Sequence, residues 1–213
     1  TPDGASADNY NVYYDGNGTL TLKDATINGT NIIGHVGAGI YAEGDLTIVL
    51  EGSSTVTGVQ DPNDESQSIR VSGNLTIQGG SLTAQGAETS SGSSYGIFVT
   101  ESFTQQGGSV TANGGDVSGS YKSAGLYVSG STVTVEGGTL TATGGDTSGS
   151  SYGISASGTV TVNDAIVTAT AGTGQSSYGL YVSANVSFPT PSVTIFGNGS
   201  LTARSGTATS EAG

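Results

Sequence analysis

The sequence predicts an all-β protein, a single-stranded parallel β-helix of about seven coils, and three observations predict it. One short motif recurs: Ser123-Ala124-Gly125-Leu126-Tyr127-Val128 has relatives at Gly37-Ala38-Gly39-Ile40-Tyr41-Ala42, Gln67-Ser68-Ile69-Arg70-Val71, Tyr95-Gly96-Ile97-Phe98-Val99, Tyr152-Gly153-Ile154-Ser155-Ala156 and Tyr178-Gly179-Leu180-Tyr181-Val182. Its aliphatic residue falls at 40, 69, 97, 126, 154 and 180, in steps of 29, 28, 29, 28 and 26, and one step of 28 further back reaches Val12. A fixed period in this range marks a repeat architecture. Within each copy the apolar residues alternate with period two, the strand signature. No stretch carries the apolar face of a helix, which excludes helix-containing repeats of this length.

Each copy holds three short extended segments, clearest in the fifth: Leu126-Tyr127-Val128, then Val133-Thr134-Val135, a Gly137-Gly138 turn, and Thr139-Leu140-Thr141-Ala142. A Gly/Ser-rich loop returns to the next copy. The first copy is read at Val12-Tyr13-Tyr14. Segment two aligns as Leu20-Thr21-Leu22, Leu46-Thr47-Ile48, Leu75-Thr76-Ile77, Phe103-Thr104-Gln105, Val133-Thr134-Val135, Val160-Thr161-Val162 and Val193-Thr194-Ile195. Segment three centres on Ile27, Val56, Leu82, Val110, Leu140, Val167 and Leu201. Stacked at the strand spacing, seven such coils make a rod about 34 Å long, right-handed as parallel crossovers are. Pro189 and Pro191 interrupt the seventh copy, because proline cannot donate to a ladder. The repeat runs nearly end to end, so residues 1–213 read as one domain. Ala212-Gly213 resembles the residues before a new coil, so a fragment of a longer solenoid is expected.

Composition narrows the function. Cysteine is absent, which excludes disulfides and thiolate metal sites, and 4 basic against 17 acidic residues give a net charge of -13. Phosphate binding needs basic patches, so a nucleic-acid partner is not expected. No apolar run approaches the roughly 20 residues of a membrane-spanning helix.

Three rows of side chains could carry chemistry. The outward position of segment one reads Tyr13, Tyr41, Arg70, Phe98, Tyr127, Ser155 and Tyr181. Stacked rings one strand apart would form an apolar platform with polar tips, suited to sugar rings. They are equally good strand formers that stabilise one another. Tyr95, Tyr152 and Tyr178 have inward parity and are expected in the core or at bends. An acidic row, Asp61, Asp64, Glu65, Glu88, Asp116 and Asp146, would line one edge, and carboxylate oxygens suit Ca²⁺. The same row could be a solvated edge that discourages aggregation. The third row is threonine, as in Thr55-Val56-Thr57 and Thr139-Leu140-Thr141. Such outward pairs suit an ice-binding solenoid, but Ile166 and Asn28 break the pattern. Catalysis finds little support: one histidine, His35, and four scattered cations, Lys23, Arg70, Lys122 and Arg204, do not assemble a lyase. Asp61, Asp64 and Glu65 would supply a glycosidase pair only from a loop.

Gly39-Ile40-Tyr41-Ala42-Glu43-Gly44-Asp45-Leu46-Thr47-Ile48, followed by Ser54-Thr55-Val56-Thr57-Gly58, resembles the repeats of β-helical carbohydrate-binding domains in clostridial and gut Firmicutes surface proteins. The likeness covers about residues 12–203. That family is similar in fold to pectate lyases, and some members bind acidic plant polysaccharide with calcium without cleaving it. The resemblance implies a non-catalytic carbohydrate-binding or adhesin module at the bacterial cell surface, its partner a polysaccharide or surface glycan, with calcium at the acidic loops. A stalk that spaces another domain from the cell wall is the alternative.

Overall fold

A computed structural model describes residues 10–30, 35–59, 65–185, 187 and 190–209, with residues 32 and 33 through their backbone. Every element is a strand. In chain order they are β1 (Val12–Tyr14), β2 (Thr19–Lys23), β3 (Thr26–Asn28), β4 (Ile32–Ile33), β5 (Val36–Ala42) and β6 (Leu46–Thr57). Next come β7 (Glu65–Val71), β8 (Leu75–Gln85), β9 (Ser94–Val99), β10 (Phe103–Gln106), β11 (Ser109–Asn113) and β12 (Lys122–Val128). The chain closes with β13 (Thr132–Thr143), β14 (Ser150–Ser157), β15 (Thr159–Thr170), β16 (Ser176–Ser183), β17 (Ser192–Phe196) and β18 (Ser200–Arg204).

These strands stack into a parallel β-solenoid of about six turns. Segment one forms one sheet, β5-β7-β9-β12-β14-β16, all parallel and in register. Segments two and three share the other sheet, often as one long strand bent at its glycines. At Gly137 and Gly138 φ is 85° and 75°, in the left-handed region. A Cβ on Gly138 would lie 2.1 Å from Gly108 O of the preceding coil, so stacked corners leave no room for side chains.

The first expected coil is the main departure. Val12–Tyr14 does not begin a turn of the solenoid but pairs antiparallel with β2, Tyr13 opposite Thr21. The cause lies in Asp15-Gly16-Asn17-Gly18, a hairpin signal in which both glycines have positive φ. Asp15 Oδ1 accepts from the backbone amides of Asn17 at 2.7 Å and Thr19 at 2.9 Å, which holds its carboxyl below the usual range. Register also differs early in the chain. Leu20 faces Ile48, and, beyond one extra residue bulged between Leu50 and Ser53, Ser54 faces Leu82 and Val56 faces Ala84. Ser54 is consequently buried, and its Oγ accepts from Ala25 N at 3.1 Å.

Beyond that point the expected ladders hold. Ile69, Ile97, Leu126 and Ile154 are fully buried above one another, as are Leu75, Phe103, Val133 and Val160. Gln105 interrupts its column between Ile77 and Val135. Its amide donates to Thr139 O at 3.0 Å and Gly107 O at 3.2 Å, while its buried Oε1 has no partner among the described residues. Leucine is of similar size and carries no unsatisfied acceptor, so Gln105→Leu is expected to raise unfolding free energy by about 1 kcal/mol. A shift of the urea midpoint to lower concentration would contradict this.

A polar ladder runs beside the apolar ones. Ser66, Ser94, Ser123, Ser151 and Ser177 stack in register at the start of segment one. Ser123 Oγ donates to Gly115 O of its own coil at 2.8 Å and accepts from Gly145 N of the next at 2.8 Å. Ser94 and Ser151 repeat both bonds with their own loops. Each hydroxyl thus ties a return loop to the loop above it, which explains how Gly-rich connections hold one conformation.

Outside, segment three carries an unbroken threonine column: Thr26, Thr55, Thr83, Thr111, Thr141, Thr168 and Thr202 are successive neighbours. The two ends differ. The antiparallel strands β1 and β4 edge the first coil, whereas Val193, Ile195 and Phe196 of the last are 44–47% exposed.

Candidate functional site

The recurring glycine of segment one is the corner where this strand backs onto segment three. A Cβ on Gly125 would lie 2.4 Å from Thr143 N and 2.5 Å from Ala112 O. The residues on either side are re-aimed by that corner. Tyr95, Ala124 and Tyr152, one position before the glycine, face outward and pack with Phe98 and Tyr127 in a cluster separate from the aliphatic core. Tyr95 and Tyr152 are buried at a bend, as expected, but in this separate cluster and not among the inward aliphatics, and Tyr178 is exposed. Simple alternation fails because the corner inserts one extra inward position at the glycine.

The result is an aromatic wall two residues wide. Phe98 and Tyr127 stack with centroids 5.6 Å apart and planes within 5°. Tyr95 leans on both, at 5.4 and 5.1 Å. On later coils Tyr152, Tyr178 and Tyr181 form a second group with centroids 5.4–6.0 Å apart. Ser155, buried in the outward row between Tyr127 and Tyr181, leaves a step between the groups. Tyr178 and Tyr181 are exposed, Phe98 and Tyr127 half-buried, and Tyr95 and Tyr152 form the floor. Burial pushes the Tyr95 phenol well above its ordinary pKa, so it stays protonated.

Two cations cap the first group. The Arg70 guanidinium lies 4.7 Å from the Phe98 centroid, and Lys122 Nζ lies 5.3 Å from that of Tyr127 and 3.3 Å from its hydroxyl. Arg70 Nη1 donates to Gln67 Oε1 at 3.3 Å, and Gln67 donates to Glu65 at 3.1 Å. Arg70 Nε is buried and without a partner among the described residues. Half of the chain's four basic residues thus meet on one aromatic surface, which scattered sequence positions concealed.

Of the expected row, Phe98, Tyr127 and Tyr181 belong to the wall. Tyr13 does not, because the hairpin carries it to the other sheet. Tyr41 keeps its register opposite Arg70, but it lines a cavity of about 590 Å³ at the first coil, with Tyr14, Leu20 and Glu43.

The acidic edge has a different local role. Asp61 and Asp64 lie outside the described residues. Glu65 is engaged by Gln67, and Glu88, Asp116 and Asp146 are exposed at one edge. Asp116 Oδ1 accepts from Asp146 N at 2.8 Å, and Asp146 Oδ1 accepts from Thr173 N at 2.6 Å. Asp24, Asp45 and Asp164 brace the following coil in the same way. Among the described residues no group of three metal-ligating side chains comes together at these aspartates. They act as hydrogen-bond braces between coils.

Flat rings with polar tips can stack on the apolar faces of sugar rings, and the flanking cations can pair with acidic substituents. No family model matches this chain, and comparison with characterised proteins and with solved structures finds no match either.

Proposed function

We propose that this β-solenoid is a non-catalytic carbohydrate-binding module of a bacterial cell-surface protein, with the aromatic wall as its platform and acidic polysaccharide as its favoured ligand. The observation that carries the reading is the Phe98–Tyr127 stack with Arg70 and Lys122 at its two sides. Among the described residues neither cation is in an ion pair, and a wall built for stability alone has no need of such cations in so acidic a chain. The resemblance of the repeats to β-helical carbohydrate-binding domains supports the same reading.

A glycan array probed with purified protein, once with Ca²⁺ and once with EDTA, tests it. Uronic-acid polymers are expected to bind in both buffers, because Arg70 and Lys122 supply the positive charge without a metal ion. Truncating Tyr127 or Tyr181 to alanine is expected to weaken binding by about 2 kcal/mol each, roughly thirtyfold, as for a buried aromatic anchor. Absence of binding in both buffers would sink the proposal and favour a stalk. Binding that needs calcium and ignores Tyr127 would move the site to the acidic edge.

A further inference from the structure

The aromatic wall is not uniform along the solenoid axis, and the difference bears on which polysaccharide it takes. In the first half the flat face is Phe98 on Tyr127, with planes within 5°. In the second half it is Tyr152 on Tyr178, with planes 16° apart and Tyr181 tilted against both. The stacked pair thus moves from two positions after the corner glycine to the position before it. Ser155 and Ala124 fill the places without a ring, and both are buried. The two pairs are centred two coils apart in register, about 9.6 Å at the strand spacing. That is more than one pyranose ring spans, so the halves seat different sugars of one chain.

Charge divides the halves as well. Arg70 lies 4.7 Å from the Phe98 centroid and Lys122 Nζ 5.3 Å from that of Tyr127, so both cation–ring contacts belong to the first half. Arg70 Nε is buried and without a hydrogen-bond partner among the described residues. Lys122 stands in register with Ser150 and Ser176 on the next two coils. The second half therefore presents serine hydroxyls where the first has an ammonium. Arg204, whose backbone amide adjoins the Gly179 corner from the other sheet, makes no ring contact among the described residues. On a chain of net charge -13, a ligand carboxylate that meets no cation is repelled.

We infer, resting on the glycan reading above, that the wall takes a sparsely charged heteropolysaccharide. An acidic sugar lies on the Phe98–Tyr127 half and a neutral sugar on the Tyr152–Tyr178 half. A polymer with a carboxylate on every sugar suits the first half and is repelled at the second. A neutral polymer stacks on both but leaves Arg70 and Lys122 without an anion.

The deciding measurement is affinity, in EDTA, for one uronic-acid polymer methyl-esterified in steps from fully charged to fully neutral. The wild-type chain is expected to bind best at intermediate charge, about tenfold tighter than at either end. Lys122→Gln is expected to move that optimum toward the neutral end, and Ser176→Lys toward the charged end. Arg70→Gln should act as Lys122→Gln does, but Arg70 is partly buried, so the exposed Lys122 carries the test. Affinity that rises steadily to the fully charged polymer overturns the inference and leaves the glycan proposal standing. So does an optimum that neither Lys122→Gln nor Ser176→Lys moves. An equal shift in Arg204→Gln also overturns it, by giving the second half a cation of its own. Affinity that rises steadily to the neutral polymer removes the role of both cations. No binding at any step removes the glycan proposal, and this inference with it.

Discussion

Gly125→Ala is expected to be the most damaging single-methyl change in the protein, costing about 3 kcal/mol or more. The added carbon would sit 2.4 Å from Thr143 N, 2.5 Å from Ala112 O and 2.8 Å from Ala142 C. All three are backbone atoms in stacked strands, so no side chain can swing aside. Overpacking a rigid site costs about 1–3 kcal/mol and occasionally more, and backbone placement puts this position at the upper end. Ser68 occupies the equivalent corner of an earlier coil, where its hydroxyl bonds Val56 O at 2.7 Å, beside the register shift that alters the local path. Urea unfolding followed by far-ultraviolet circular dichroism reads the effect. A midpoint within error of wild type would show that the coils can part locally to admit a methyl group.

Ser123→Ala is expected to cost about 2–3 kcal/mol, although it removes only one oxygen. The residue is fully buried, and its hydroxyl serves two backbone groups in different return loops, Gly115 O and Gly145 N. Leaving a buried donor or acceptor unsatisfied costs about 1–3 kcal/mol. Ser123→Cys keeps the size but weakens both bonds, so it should fall between wild type and alanine. Amide exchange at Gly145 gives a local readout and should accelerate in the alanine variant. Unchanged exchange there would mean that the serine ladder is incidental to the order of the loops.

Much of the fold was legible from the chain. The 28-residue recurrence of Gly-Ile-Tyr and Gly-Leu-Tyr set the coil, and alternation assigned inward and outward faces from Leu75 onward. What misled was local. Asp15-Gly16-Asn17-Gly18 contains a hairpin signal that the repeat pattern overrode, so Tyr13 was placed in a row it does not join. The bulge at Leu50–Ser53 shifts the second coil by one residue, which an alignment on aliphatics absorbs without trace. The aromatic wall was half legible. Phe98, Tyr127 and Tyr181 follow from parity, whereas Tyr95, Tyr152 and Tyr178 need the corner at the glycine, a three-dimensional fact. The signal for them was present in the repeated Tyr-Gly pair. The bracing by Asp116 and Asp146 was not legible, because sequence shows their charge but not the amide each one meets.

Strand pairing gives the molecule a one-dimensional character. Each strand of the solenoid is hydrogen-bonded only to its counterparts in the coils directly above and below. Stability is then close to a sum over neighbouring interfaces. A defect near the middle, such as one at Gly125, divides the rod into two shorter stacks. A defect at β17 or β18 only frays one end. Tolerance to change should therefore follow distance from the nearer end as much as burial, and the central coils act as the keystone of the stack.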